Sequence, residues 1–313
     1  MDRIVVVANP SASQFTGGAH RDVMSQLRKV GDVEALWPDS AAAAQSRAAE
    51  AAESGADVVV AMGGDGIVHH VAQGLVGTNT ALAIVPVGTT NVIARLLDVP
   101  SKPAKAARLI GADNVVTRRF GTVRMTLQRG ATETIHHAVF ACGFGLDAAV
   151  VLEAEKDPYR KYRFGSLHYA RTALGVALKD FPGRKPHLTV SVGGKDELVS
   201  AALVQFRSVY TYFGSIPLRI TPERPDPMTV LTIARLRRKR IPRIVTTLLR
   251  SRDLGAVPEW EVTRQVESLS LVADPPVAVQ ADGESLGMVD GATVEWWPES
   301  LLIVTTLPRA AAS

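Results

Sequence analysis

The 313-residue chain contains one cysteine, Cys142, so no internal disulfide can hold it together. A lone thiol suits a reducing compartment, and a cytoplasmic location is the expectation. Aromatic residues make up only 5% of the chain, which is poor material for base-stacking surfaces. The charge imbalance is small, 35 Lys+Arg against 31 Asp+Glu. Nucleic acid is therefore not an expected partner, although a local basic patch can still face something anionic. No apolar run approaches the roughly 18 residues of a membrane-spanning helix. Met1-Asp2-Arg3 leads straight into the apolar residues 4–8, without the form of a signal peptide. What the chain has is 46% hydrophobic residues against 21% charged. That excludes disorder as the dominant state, and the length suits two domains or one large one.

The first third alternates. Residues 3–8, 32–37, 57–62 and 81–86 are short apolar runs that read as strands, and residues 19–30, 41–54 and 67–76 read as helices. Asp39-Ser40 stands where a helix cap belongs. Strand, loop and helix at this spacing predict an α/β layer with a mostly parallel, buried sheet. After about residue 112 the texture changes. Strand candidates recur at 115–119, 121–128, 132–141, 187–193, 198–207, 228–234, 268–273, 277–281 and 292–296, interrupted by a helical stretch over 147–180 that Pro182-Gly183 closes. Many short strands with Gly/Pro turns predict a β-rich second domain. The expected division is 1–118 and 119–297, with 298–309 a candidate to return to the first domain.

Gly63-Gly64-Asp65-Gly66 follows a buried strand and precedes a helix. Glycines let the backbone turn sharply and let a bulky ligand approach its N–H groups, and the helix start favours phosphate. Asp65, a carboxylate inside such a loop, suits a metal or a proton acceptor. Without a ligand, the same residues make a tight strand–helix turn. Gly88-Thr89-Thr90-Asn91 follows the next strand, and Asn9-Pro10-Ser11 with Gly17-Gly18 follows the first. Loops at the carboxyl ends of parallel strands form the ligand crevice of such sheets. Asp282-Gly283-Glu284 follows a strand candidate at 277–281. As residues i and i+2 of one strand, the two carboxylates would share a face. The alternative is a turn, which Asp-Gly favours.

These motifs, in this order, resemble the lipid kinases of the diacylglycerol kinase and sphingosine kinase type. Gly145-Leu146-Asp147-Ala148 is similar to that family's G-F-D-A. The resemblance implies an α/β N-terminal nucleotide-binding domain, phosphofructokinase-like with a mostly parallel sheet, plus a β-sandwich-like C-terminal domain, with ATP meeting a lipid hydroxyl in the cleft between them. It implies ATP and Mg2+ as cofactors and a membrane lipid as substrate, with diacylglycerol favoured. Phosphates would be held by Asn9, Gly63, Gly64, Asp65, Gly66, Gly88, Thr89, Thr90 and Asn91, with Ser40 a further nucleotide contact. The catalytic carboxylates would be Asp65, Asp282 and Glu284, one of the last two being the base. Asp226-Pro227-Met228 resembles a segment that holds a structural Mg2+ through the Asp226 carboxylate and a main-chain carbonyl at Met228, with Pro227 replacing the usual Gly.

Three positions depart from the family pattern. Ile67 replaces a Thr, His70 a Glu and Val92 an Asp, so a hydroxyl and two carboxylates are missing. These departures favour one rival reading, a non-catalytic lipid- or nucleotide-binding regulator; a second rival, an NAD kinase-like enzyme, rests on the Gly63–Gly66 loop that such kinases share. Residues 235–252 carry eight Lys/Arg and no acid. Ile241, Ile244, Val245, Leu248 and Leu249 recur there at helical spacing. Such a segment suits an anionic membrane surface and peripheral association, or a surface helix packed on its own domain. Residues 159–171 are a second basic-aromatic candidate. The oligomeric state stays open between monomer and homodimer.

Overall fold

In a computed structural model, which describes residues 2–112, 116–155, 186–223, 225–250 and 252–306, the chain divides into two compact units. One comprises residues 1–122 with 297–313, the other residues 123–296.

The valine-rich runs of the first unit become parallel strands. β1 (Arg3–Ala8), β2 (Asp32–Leu36), β3 (Val58–Gly63) and β4 (Ala81–Pro86) pair in the order β4-β3-β1-β2. Every residue of β3 and β4 is buried, because helices cover both faces of the sheet. On one side Ile4, Val6, Val58 and Val85 pack with Val23 and Leu27 of α1 (Gly17–Leu27) and with Ala106 and Ile110 of a later helix, Pro103–Ile110. On the other lie α2 (Ala41–Glu53) and α3 (Asp65–Leu75), packed on each other and on β1 and β3. Thr16 and Ser40 cap α1 and α2, their hydroxyls accepting the N–H of Ala19 at 3.0 Å and Ala43 at 3.2 Å. Between β4 and the helix Pro103–Ile110, which is α5, runs the short α4 (Val92–Leu96).

The chain leaves the first unit within β5 (Val116–Arg129), where the sequence suggested two strands, and returns within the long last strand β16 (Glu284–Thr305). Ile303 of β16 pairs in parallel with Leu82 of β4.

The second unit is antiparallel. β6 (Thr132–Ala138) pairs with β5. β7 (Ala141–Phe144), β8 (Leu188–Val192), β9 (Lys195–Val199) and β10 (Ala201–Gln205) follow. The hairpin β11 (Thr211–Phe213) and β12 (Ile216–Leu218) stands apart. β13 (Met228–Ile233), β14 (Trp260–Val266) and β15 (Ser268–Ala281) complete the set. β15 runs unbroken, with a register shift between Val272 and Val277, through the Asp274-Pro275-Pro276 segment that divided it in sequence. Its first half pairs with β8 and its second with β7. Met125, Leu127, Phe144, Val190, Val204, Val230, Leu271 and Val294 share one core, as expected of a sandwich-like domain. The opposite face of β10 and β13 is covered by α6 (Leu146–Glu155) and α7 (Ile241–Leu249) through Val150, Ile244 and Leu248. The rest of the expected helix over 147–180, the stretch 159–171 and the tail 310–313 lie outside the described residues.

Candidate active site

In the first unit, three of the loops singled out in sequence are joined at the carboxyl edge of the sheet. Val87 donates its N–H to the Gly63 carbonyl at 2.9 Å, and Gln14 donates its own to Val87 at 2.9 Å. The Ser13 and Thr89 hydroxyls lie 2.9 Å apart. The loops after β3 and β4 touch backbone to backbone: a Cβ on Gly88 would sit 2.5 Å from the Gly64 Cα. Asn91, left-handed at φ 49°, closes its loop by accepting the Gly88 N–H at 3.2 Å and donating to the Gly88 carbonyl at 2.8 Å. The Asn9 carboxamide accepts the Ser11 N–H at 2.9 Å and shapes the loop after β1. The structure thus brings Asn9, Gly63, Gly64, Asp65, Gly66, Gly88, Thr89, Thr90 and Asn91 into one edge. Ser40 lies beyond β2, exposed, with its oxygen engaged as the α2 cap.

Gly64 starts α3 without a side-chain cap. The first N–H groups of any helix lack partners inside it, and here they begin at a glycine-lined contact. Asp65 is half-buried, and its Oδ1 accepts the Ile93 N–H at 3.3 Å, capping α4 from the neighbouring loop. Ile67 and Val92 are buried apolar residues. A Cβ on Gly63 would meet the Ile67 Cγ2 at 2.2 Å, so Ile67 occupies the space that Gly63 leaves. His70 is half-buried, its ring centroid 5.1 Å from that of buried His69.

Sequence reasoning passed over an aromatic cluster here. Trp37, 48% exposed, stands edge-on to Phe15 with centroids 5.8 Å apart and lies 4.6 Å from the His20 ring. Burial, then Arg28 and Arg21, hold the His20 pKa down. The three residues belong to different loops and helices, and no motif joins them.

In the second unit, Asp282 and Gly283 have φ of 55° and 81°, and Ala281 pairs with Glu284 across β15 and β16. This is a two-residue hairpin turn of the type that favours Asp-Gly. The shared-face reading of the two carboxylates is therefore corrected: Asp282 is in the turn, and Glu284 opens the returning strand. Asp282 is buried, and its carboxylate accepts the N–H groups of Val139 at 2.8 Å, Phe140 at 2.8 Å and Ala141 at 3.2 Å. Glu284 is half-buried.

Behind this turn lies a buried polar network. Asp147 follows Gly145 at the start of α6, and a Cβ on Gly143 would fall 2.3 Å from its carboxylate, so only glycine at 143 leaves it room. Asp147 accepts hydrogen bonds from the Tyr210 hydroxyl, from Gln280 Nε2 at 2.8 Å and from the Ala148 N–H at 2.8 Å. Burial pushes its pKa up, and these donors pull it back only in part. Burial, with Asp147 alongside, also raises the Tyr210 pKa well above its ordinary value.

Asp226 is exposed between Pro225 and Pro227, and the Met228 side chain is fully buried in the core, so only its main chain could serve a metal. Among the described residues no three His, Cys, Asp or Glu side chains cluster as a metal centre. In the basic stretch, Arg237 and Arg240 pair with Glu259 at 2.6 and 3.3 Å. Ile244 and Leu248 of α7 pack with Leu254 and Val257, while Val245 is 44% exposed. The packed-helix reading therefore holds for that apolar face. No helix among the described residues is long and apolar enough to cross a membrane.

Comparison with known proteins follows the same lines. Residues 3–125 match the diacylglycerol kinase catalytic domain. A diacylglycerol kinase of Mycobacterium tuberculosis is 25% identical over 303 residues, covering 90% of this chain and 88% of that protein. A protein of Xanthomonas oryzae pv. oryzae named "probable lipid kinase YegS-like" is 27% identical over 278 residues, 84% of each chain. A crystal structure of a diacylglycerol kinase from Bacillus anthracis str. Sterne superposes with a TM-score of 0.67 at 17% identity, covering 99% of this chain and 98% of that one. An NAD kinase from Archaeoglobus fulgidus, solved with ATP, superposes at 0.53 and 14% identity over 99% of this chain and 95% of that one. The last two show the fold, which both kinase types share. Residues 3–125 thus match the diacylglycerol kinase catalytic domain, and the likeness to lipid kinases of the diacylglycerol kinase and YegS type extends over most of the chain.

Proposed function

We propose that this protein is an ATP- and Mg2+-dependent lipid kinase that transfers the γ-phosphate to a lipid hydroxyl, converting diacylglycerol to phosphatidic acid. The observation that carries the reading is the Gly64–Gly88 backbone contact at the start of α3, which brings two loops without side chains together beside helix N–H groups. It fits the phosphates of a nucleotide. The loops at Asn9, Gly63–Gly66 and Gly88–Asn91 would hold them by main-chain donors, with Thr89 and Thr90 adding hydroxyls and Ser40 able to donate its proton. The Asp65 carboxylate is a hard oxygen donor beside that contact. It suits Mg2+, which is held by one or two carboxylates together with substrate phosphates and water. Bound there, Mg2+ would neutralise charge developing on the transferred phosphoryl group. Asp226 with the Met228 carbonyl is proposed as the structural cation site.

Glu284 is the proposed general base for the lipid hydroxyl. Asp282 has its oxygens occupied by three backbone donors, so its role is to hold the turn that presents Glu284. The exposed cations of 235–252, with Val245, are proposed to meet an anionic membrane surface, making the protein peripherally membrane-associated in the cytoplasm. The test is phosphorylation of a total lipid extract with ATP and Mg2+, the product identified by mass, beside a parallel reaction offering NAD. A diacylglycerol-derived product is expected. Phosphorylated NAD, or ATP binding without turnover on any acceptor, would replace this reading with one of its rivals.

A further inference from the structure

The second unit contains a fully assigned hydrogen-bond chain that ends on the Asp282-Gly283-Glu284 turn. Gln280 Nε2 donates to the Asp147 carboxylate at 2.8 Å and to the Tyr210 oxygen at 3.1 Å, while Gln280 Oε1 accepts the Gly283 N–H at 2.9 Å. The orientation of the amide follows from its partners. The Asp147 carboxylate only accepts, and the Tyr210 hydroxyl spends its one proton on Asp147. Both amide hydrogens must point inward, and the carbonyl oxygen must point at Gly283. Gln280 sits opposite Gly143 in the β15–β7 register, where the missing side chain admits Asp147.

We propose that Gln280, its amide oriented by the buried Asp147–Tyr210 pair, is a positioning residue that fixes Glu284 for proton transfer through the Gly283 N–H. The Asp282 carboxylate anchors one side of the turn to residues 139–141, and Gln280 anchors the other. Gly283 adjoins Glu284, so a rotated Gly283 peptide re-aims the Glu284 side chain. The proposal rests on Glu284 being the base.

The test inverts the polarity of the pair in the full-length protein, assayed with ATP, Mg2+ and dioctanoylglycerol in mixed micelles. Gln280→Glu sets acceptor against acceptor at Asp147. Asp147→Asn sets donor against donor and turns the Gln280 NH2 towards the Gly283 N–H. The double variant Asp147→Asn/Gln280→Glu restores a complementary set: Asn donates to Glu, and Glu accepts from both Tyr210 and Gly283. Each single variant is expected to lose kcat by about 10²-fold, the scale of a misplacement near 1 Å, with the KM for ATP nearly unchanged. The double variant is expected to recover most of that loss. Gln280→Glu alone should recover as the pH falls, once a proton is shared between the two carboxyls. Wild-type kcat in the singles, or a double variant no faster than the slower single with near-ultraviolet circular dichroism preserved, overturns the proposal. A Glu284→Gln arm separates the two claims. If Glu284→Gln is slow while the pair variants are not, positioning alone fails; if Glu284→Gln turns over normally, the base reading fails. Should a single variant not fold, hydrogen exchange in the wild type decides: a protected Gly283 amide is expected, and fast exchange there overturns the proposal.

Discussion

A Cβ placed on Gly88 would lie 2.5 Å from the Cα of Gly64, whereas one placed on Gly64 would meet Gly88 at an ordinary 3.4 Å. The two loops therefore touch through one side only, and the consequence is asymmetric. Gly88→Ala should force the loops apart and raise the KM for ATP by about tenfold or more, with kcat changed less. Gly64→Ala should be milder, and the bulkier Gly64→Val should again cost mainly ATP affinity. Nucleotide titration of the three variants checks this order. Wild-type affinity in Gly88→Ala would reduce the contact to a strand–helix turn.

Asp65 joins two tasks that substitution can separate. Asp65→Asn keeps an acceptor for the Ile93 N–H but loses the charge, so turnover should collapse with thermal stability nearly unchanged. Asp65→Ala also uncaps α4 and should cost about 0.5–2 kcal/mol of stability in addition. Chemical denaturation beside initial-rate assays distinguishes them. Near-normal turnover in Asp65→Asn would leave Asp65 a capping residue alone.

Glu284→Gln should lower kcat by about 10²–10⁴-fold and remove the acid limb of the pH–rate profile, as loss of a general base does. Asp282→Ala should act on stability instead, because it leaves three buried N–H groups without their acceptor, at about 1–3 kcal/mol for each that water cannot reach. Urea melts with kinetics on both variants test the division of roles. A stable Asp282→Ala that has lost its acid limb would exchange them.

The basic stretch is not uniformly available. Arg237 and Arg240 are engaged with Glu259, so the cations to replace are the exposed Arg235, Lys239, Arg250 and Arg252. Changing these four to Gln should weaken binding to phosphatidylserine vesicles and flatten its salt dependence, each contributing about 1 kcal/mol at most. Activity on a short-chain soluble lipid should stay near wild type. Unchanged vesicle sedimentation would move membrane docking elsewhere.

How much of this was legible in the sequence follows from local chemistry. The runs at β1, β3 and β4 could be read because a parallel strand covered on both faces is apolar throughout. The Asp-Gly turn was legible as a dipeptide, but its hairpin geometry was not, so two carboxylates that seemed to share a face do not. β15 read as two strands because Pro275 and Pro276 interrupt it, although its pairing with β16 resumes at Val277. The exposed-faced β14 and the short α5 gave too little apolar pattern to be seen. The Asp147–Tyr210–Gln280 network was invisible because its members lie 63 and 133 positions from Asp147 and meet only through tertiary packing.

That network gives stability a pH dependence of definite sign. Burial raises the Asp147 carboxyl above its ordinary 3.8, with Tyr210, Gln280 and Ala148 opposing. The folded state therefore keeps this proton to higher pH than the unfolded chain does. The resulting stabilisation is fully present below the unfolded value and is lost as pH rises through the raised folded one. Asp147→Asn does not titrate. The stability of the wild type relative to Asp147→Asn should therefore fall as pH climbs from about 3.8, then level off above the folded pKa. Urea denaturation of both proteins across that range measures the difference directly. A gap that widened in favour of the wild type with rising pH would mean that the three donors outweigh burial, and that Asp147 is held as a stabilised anion.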